Sequence, residues 1–202
     1  MAFGASRRIL KGLLAMNVEA LTQWLSEPRT ALTDAVTQCV REHVRQLRSR
    51  GVSFYGYALL PGEPHDINSL VAVYNGESEI KVPKANDQYR YYKYSVDEWT
   101  HWDHEGFDAA NRALAEANRH FARLHTKEEG AYEMDGFEVV HSESLLNAIL
   151  QGLDTARTEG VFGGSATFLA LWISDSSHEI MAKAVRRLNS ASVAREFVAE
   201  FG

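Results

Sequence analysis

The sequence predicts an α+β fold, a small mainly antiparallel or mixed sheet of about four strands covered by helices. Three observations carry this reading. A long stretch of three- and four-residue apolar periodicity precedes residue 51; the period then switches to strand-like runs; and a second set of helical patterns surrounds one late apolar run, Phe168 to Ile173. Helices, then strands, then helices with one late strand is the order of an α+β domain rather than of repeating βαβ units.

Taken in order, Val18 to Leu25 reads as a short helix ending near Ser26-Glu27-Pro28, where proline opens a new helix. In the next helix Leu32, Val36, Cys39 or Val40, His43 or Val44, and Leu47 form an inward stripe, Arg41, Arg45, Arg48 and Arg50 lie mostly outside, and Gly51 ends it. Val52 to Leu60 is a strand before the breaker set Pro61-Gly62-Glu63-Pro64, and Leu70 to Tyr74 is its antiparallel neighbour, closed by Asn75-Gly76. Residues 76–87 read as a loop.

The run Gln88 to Trp99 holds four of the eight tyrosines within six residues and reads as a third strand feeding a helix. Ser95 and Glu98 form an S-x-x-E capping signature for that helix start. The helix bends or breaks at Gly106 and continues through Phe107, Ala110, Leu114, Ala117, Phe121 and Leu124. Another begins near Ser142 with Leu145, Leu146, Ile149, Leu150 and Leu153 inside. Thr167 to Ile173 is the last strand, Ser176 to Glu179 a second capping box, and Val193, Phe197 and Phe201 dock a final helix.

The 202 residues suit one main domain over 29–202 with an N-terminal helical extension over 1–28, and 45% hydrophobic against 24% charged residues is ordinary for a globular chain. The basic start of the extension lacks a clean cleavage site and Lys11 interrupts its apolar part, so an amphipathic helix is favoured over a targeting segment. No run approaches a membrane span. Cys39 is the sole cysteine, which rules out an internal disulfide and fits a cytoplasmic setting; it reads as a buried small hydrophobe.

Residues 1–50 carry eight Lys and Arg against four Asp and Glu, so the rest of a chain of net charge −6 holds −10. Such a balance gives no footprint for nucleic acid and suits a basic protein partner. Within Asp97 to Glu105, a continuous helix would bring Asp97, His101 and His104 to one side as metal ligands or acid–base groups of a hydrolase. Yet zinc wants three or four tetrahedral ligands, and neither His-Glu-x-x-His nor a Cys pair is present. No cofactor motif stands out: Gly160 to Ser165 lacks the P-loop lysine and leads into a strand, and Ser165, Asp175 and His178 have no triad spacing. Aromatic residues remain the best binding candidates, namely Tyr92, Tyr94, Trp99 and Trp102, with whichever stays exposed the expected contact surface.

Four segments, Phe54 to Leu59, Tyr91 to Trp99, Glu159 to Gly163, and Trp172 to Asp175 with Arg187-Leu-Asn189, together resemble a bacterial family classified as a domain of unknown function. That resemblance covers roughly residues 30–202 and carries over no catalytic residue. Small acidic bacterial domains of this kind also look like immunity proteins, which implies a cytoplasmic protein-binding module inhibiting a basic toxin or effector, favoured over an enzyme.

Overall fold

Apolar stripes at helical spacing and apolar strand runs build the core of the computed structural model, which describes residues 18–63, 66–125, 133–164 and 166–201. The reading of the chain's first residues as an amphipathic helix falls on 1–17, outside the described residues. Helix α1 covers residues 18–26, and α2 is Thr30–Ser49, whose buried residues Leu32, Val36, Cys39, Val40, His43, Val44 and Leu47 are the predicted stripe. Gly51 follows it at φ 73, the left-handed conformation in which glycine lacks the Cβ penalty.

Strands β1 (Gly56–Glu63) and β2 (Asp66–Asn75) pair antiparallel. Both run past the boundaries the breaker residues suggest. The register shifts between Leu60 and Gly62, so Pro61, which has no N–H for the ladder, sits at a bulge instead of ending the strand. Strand β3 is His101–Asp103, antiparallel to β2, and β4 (Phe168–Leu171) runs parallel to β1. The order β3-β2-β1-β4 makes a mixed four-stranded sheet, an α+β arrangement as predicted.

The tyrosine-rich segment is where expectation and structure part. Tyr89–Tyr94 is a helix, α3, and Val96–Glu98 a single 3-10 turn, so the junction runs helix to strand and not strand to helix. Ser95 makes no side-chain cap; its own N–H donates to the Tyr91 carbonyl. Helix α4 starts only at Asp108 and ends at Leu124, after Gly106 at φ 83.

Helix α5 (Gly136–Thr158) begins before the expected Ser142, because Asp135 accepts from the N–H groups of Phe137 and Glu138 while Glu138 reaches back to the Asp135 N–H. Helix α6 (Glu179–Leu188) is capped by His178 Nδ1 accepting from Ile180 N–H, displacing the serine expected there, and α7 is Ala191–Phe201. Helices cover both faces of the sheet: Tyr57 meets His43 of α2 on one, while Phe168 meets Tyr94 of α3 and Phe197 of α7 on the other. Helices α2 and α5 approach closely at Gly152, where a Cβ would lie 2.8 Å from the Thr33 carbonyl oxygen and from Val36. Among the described residues, no helix is long and apolar enough to cross a membrane.

Candidate functional site

The predicted aromatic residues do not form one surface. Tyr94 is fully buried against Phe168, its hydroxyl donating to Glu196 at 2.7 Å, and burial followed by that carboxylate holds the phenol well above its ordinary pKa. Trp99 is also buried. Its ring occupies the space over Gly56, where a Cβ would lie 2.5 Å from the indole, and its Nε1 donates to the Lys93 carbonyl at 3.2 Å. Tyr92 is half-buried beneath the Lys81 ammonium. Only Trp102 of the four is strongly exposed, at 42%.

The exposure of Trp102 is built from the buried residues around it. Tyr55 donates its hydroxyl proton to the same Lys93 carbonyl at 2.8 Å, and burial pushes that phenol up to about 12. Buried Asn75 accepts from the Thr100 N–H at 3.2 Å, fixing the chain as it enters β3. Trp102 then donates its indole N–H to the Trp99 carbonyl at 3.1 Å. An exposed indole is thereby held in one orientation by the main chain of a buried tryptophan.

Alternation along β3 turns His101 and Asp103 to the opposite face from Trp102. His101 stacks on its cross-strand partner Tyr74 at 4.8 Å and shares a 2.6 Å hydrogen bond with Glu79. Asp103 meets His43 Nε2 at 3.2 Å, and His43 Nδ1 meets the fully buried Tyr57 hydroxyl at 2.9 Å. Burial lowers the His43 pKa more strongly than the Asp103 bond raises it, so the ring is neutral at pH 7. Burial would raise the Asp103 carboxyl, but the Glu105 N–H, His43 and the Arg50 charge outweigh it and hold it below the ordinary value. Glu79 is lowered in the same way, burial being outweighed by the Gly76 N–H and His101.

The alternative metal trio is dispersed by the same geometry. Asp97 sits on the 3-10 turn and accepts from the Ser174 hydroxyl at 2.6 Å; His101 is in a strand bonded to Glu79; His104 is exposed beyond it. The helix that would have aligned them is absent because residues 101–103 pair with β2. Among the described residues, no group of three or more His, Cys, Asp or Glu is placed to hold a metal ion. Cys39 is buried, and that burial pushes its thiol up, away from the reactive thiolate.

Sequence reasoning missed the His43, Tyr57 and Asp103 network and the Glu79 partner of His101, for which the signal was the His-x-Asp alternation at 101–103. It also missed a second cluster under α1. There Phe121 lies parallel to His141 at 4.3 Å and to His125 at 4.8 Å, while Trp24 stacks on His120 at 4.8 Å under the Arg29 guanidinium. His141 Nε2 meets Asn118 Oδ1 at 2.8 Å; burial first, then the Arg29 charge, lowers its pKa to about 4. Spacing of four between Phe121 and His125 was the legible part.

A family model described as a domain of unknown function (DUF4303) matches residues 36–190. All four segments that carried the sequence resemblance fall inside that span. Neither the curated proteins nor the solved structures yielded a match.

Proposed function

The chain belongs to the DUF4303 family, and we propose that it is a cytoplasmic protein-binding module, an immunity-like inhibitor of a basic toxin or effector that it grips through Trp102. The observation that supports this is the 42% exposure of an indole whose N–H is already tied to the Trp99 carbonyl. A large apolar ring held in place before contact loses little conformational freedom on binding, which is why tryptophan dominates so many interface hot spots.

The acidic stretch of sequence that carries the ring favours a basic partner. From Tyr94 to Asn111 the sequence has five Asp and Glu and no Lys or Arg. Carboxylates steer a cationic surface toward the site, and an arginine or lysine laid over the indole face adds a cation–π contact.

The test is affinity capture from the source cell with wild type and Trp102→Ala, followed by binding assays with each recovered protein. A basic partner retained by wild type and weakened at least about tenfold by the substitution is expected, a loss of about 1.4 kcal/mol. A partner that binds both forms equally overturns the assignment of Trp102.

A further inference from the structure

The strand order leaves backbone groups open along four lengths of sheet edge: two are closed by asparagine amides, and a third, β1 beyond Leu59, carries Pro61 and its bulge. On β4, Leu169 N–H donates to Asn189 Oδ1 at 2.9 Å and the Leu169 carbonyl accepts from Asn189 Nδ2 at 2.7 Å, so one side chain stands in for a neighbouring strand. Where β2 runs beyond β3, Leu70 N–H donates to Asn111 Oδ1 at 2.7 Å and Asn118 Nδ2 donates to the Ile67 carbonyl at 2.9 Å. Strand β3 is the fourth length. Its main chain pairs with β2 on one side, and among the described residues no main-chain or side-chain group bonds the other side.

Natural sheets guard such edges with proline, lysine or a bulge. Strand β3, His-Trp-Asp, is short and turns Asp103 inward but has no proline, lysine or bulge, and it carries the exposed, oriented Trp102. We propose that the outer edge of β3 receives an extended basic segment of a protein partner, which adds to the sheet as a further strand and packs a side chain on Trp102. This rests on the protein-binding reading and names how the partner is held.

Charge selects the occupant. A second copy would bring the acidic stretch around β3, with Asp97, Asp103, Glu105 and Asp108, against an identical one, Glu98 alone being paired with Lys81. Like charges facing each other across a strand pair are destabilising. A strand alternating lysine or arginine with apolar residues places its cations on the face of Asp103 and its apolar side chains on the face of Trp102, and its own N–H and C=O groups complete the open ladder.

The test uses the full chain and a short lysine–valine alternating peptide as probe, with a glutamate–valine peptide and two forms of the lysine peptide N-methylated on alternate residues. Indole fluorescence reports binding, and amide hydrogen exchange reports residues 101–103. Expected are binding of the lysine peptide, slowed exchange at 101–103, no binding of the glutamate peptide, and at least about tenfold weaker binding of one methylated form, because one set of N–H groups must face β3. Equal binding by all lysine peptides, or unchanged exchange at 101–103, overturns strand addition. If that equal binding is nevertheless lost in Trp102→Ala, the Trp102 surface stands and only the strand is removed; if no lysine peptide binds, the basic strand is rejected while the capture experiment decides on Trp102 separately.

Discussion

His43 Nε2 lies 3.2 Å from Asp103 Oδ2 and thereby ties the buried face of α2 to the edge strand that carries Trp102. The neutral ring donates this proton and accepts the Tyr57 hydroxyl proton at Nδ1, so both ring nitrogens and the Tyr57 hydroxyl have partners. Asp103→Ala leaves a ring N–H unpaired at a residue only 2% exposed, which is expected to cost about 1–3 kcal/mol. Asp103→Asn keeps an acceptor and costs less. Urea unfolding of the two variants checks the order, and equal stabilities would show that the bond contributes nothing.

Gly56 is expected to be as sensitive as any apolar core position. Its backbone is an ordinary strand, but an added Cβ would enter the Trp99 ring at 2.5 Å, and Trp99 has no room to retreat while its N–H is held by Lys93. Gly56→Ala should destabilise by about 1–3 kcal/mol through overpacking. Pairing it with Trp99→Leu should recover part of that loss in a double-mutant cycle, whereas additive costs would place the strain elsewhere.

That cradle also explains what the sequence concealed. The stripe of α2 was legible because all its inward positions face one core, and β1, β2 and β4 were legible as apolar runs. Tyr89 to Tyr94 fits either period. Tyr91 and Tyr94 lie three apart and meet Phe201 and Phe197 of α7, so a helix buries the tyrosine that a strand would have turned away. Downstream, seating Trp99 over Gly56 and pairing 101–103 with β2 outweigh the local Ser95 and Glu98 signal, and Glu98 bonds Lys81 instead. Of the candidate site, only the identity of Trp102 could be read from sequence; its exposure depends on these long-range contacts.

Stability should fall with acid sooner than carboxylates alone would produce. His141 has an ordinary value of 6.5 and a folded value of about 4, so between these pH values the unfolded chain takes a proton that the folded chain refuses. The contribution is intact above pH 6.5 and is lost as pH falls toward 4, by at most about 3 kcal/mol. His43, also lowered by burial, acts in the same direction, while Asp103 and Glu79 lose their contributions only as pH falls through carboxylate values lower than usual. His141→Gln should shrink the difference in unfolding free energy between pH 7 and pH 4.5. An unchanged difference would assign the acid response to other groups.

Asn189 closes the far edge of the sheet, and its removal separates edge protection from core packing. Its amide makes both hydrogen bonds to Leu169 and a third from Nδ2 to the Val185 carbonyl at 3.0 Å, the last at the end of α6. Asn189→Ala leaves the main chain of buried Leu169 without that partner, for an expected cost of about 1–3 kcal/mol. Asn189→Asp retains the acceptor for Leu169 N–H but loses both donations, so it should be destabilised as well, with a carboxylate now set against two carbonyl oxygens. Faster amide exchange at Leu169 and concentration-dependent association of the alanine variant are the expected readouts, since an opened β4 edge becomes a template for another strand. Loss of stability without association would mean that α6 still shields the edge and that Asn189 acts through α6 and β4 alone.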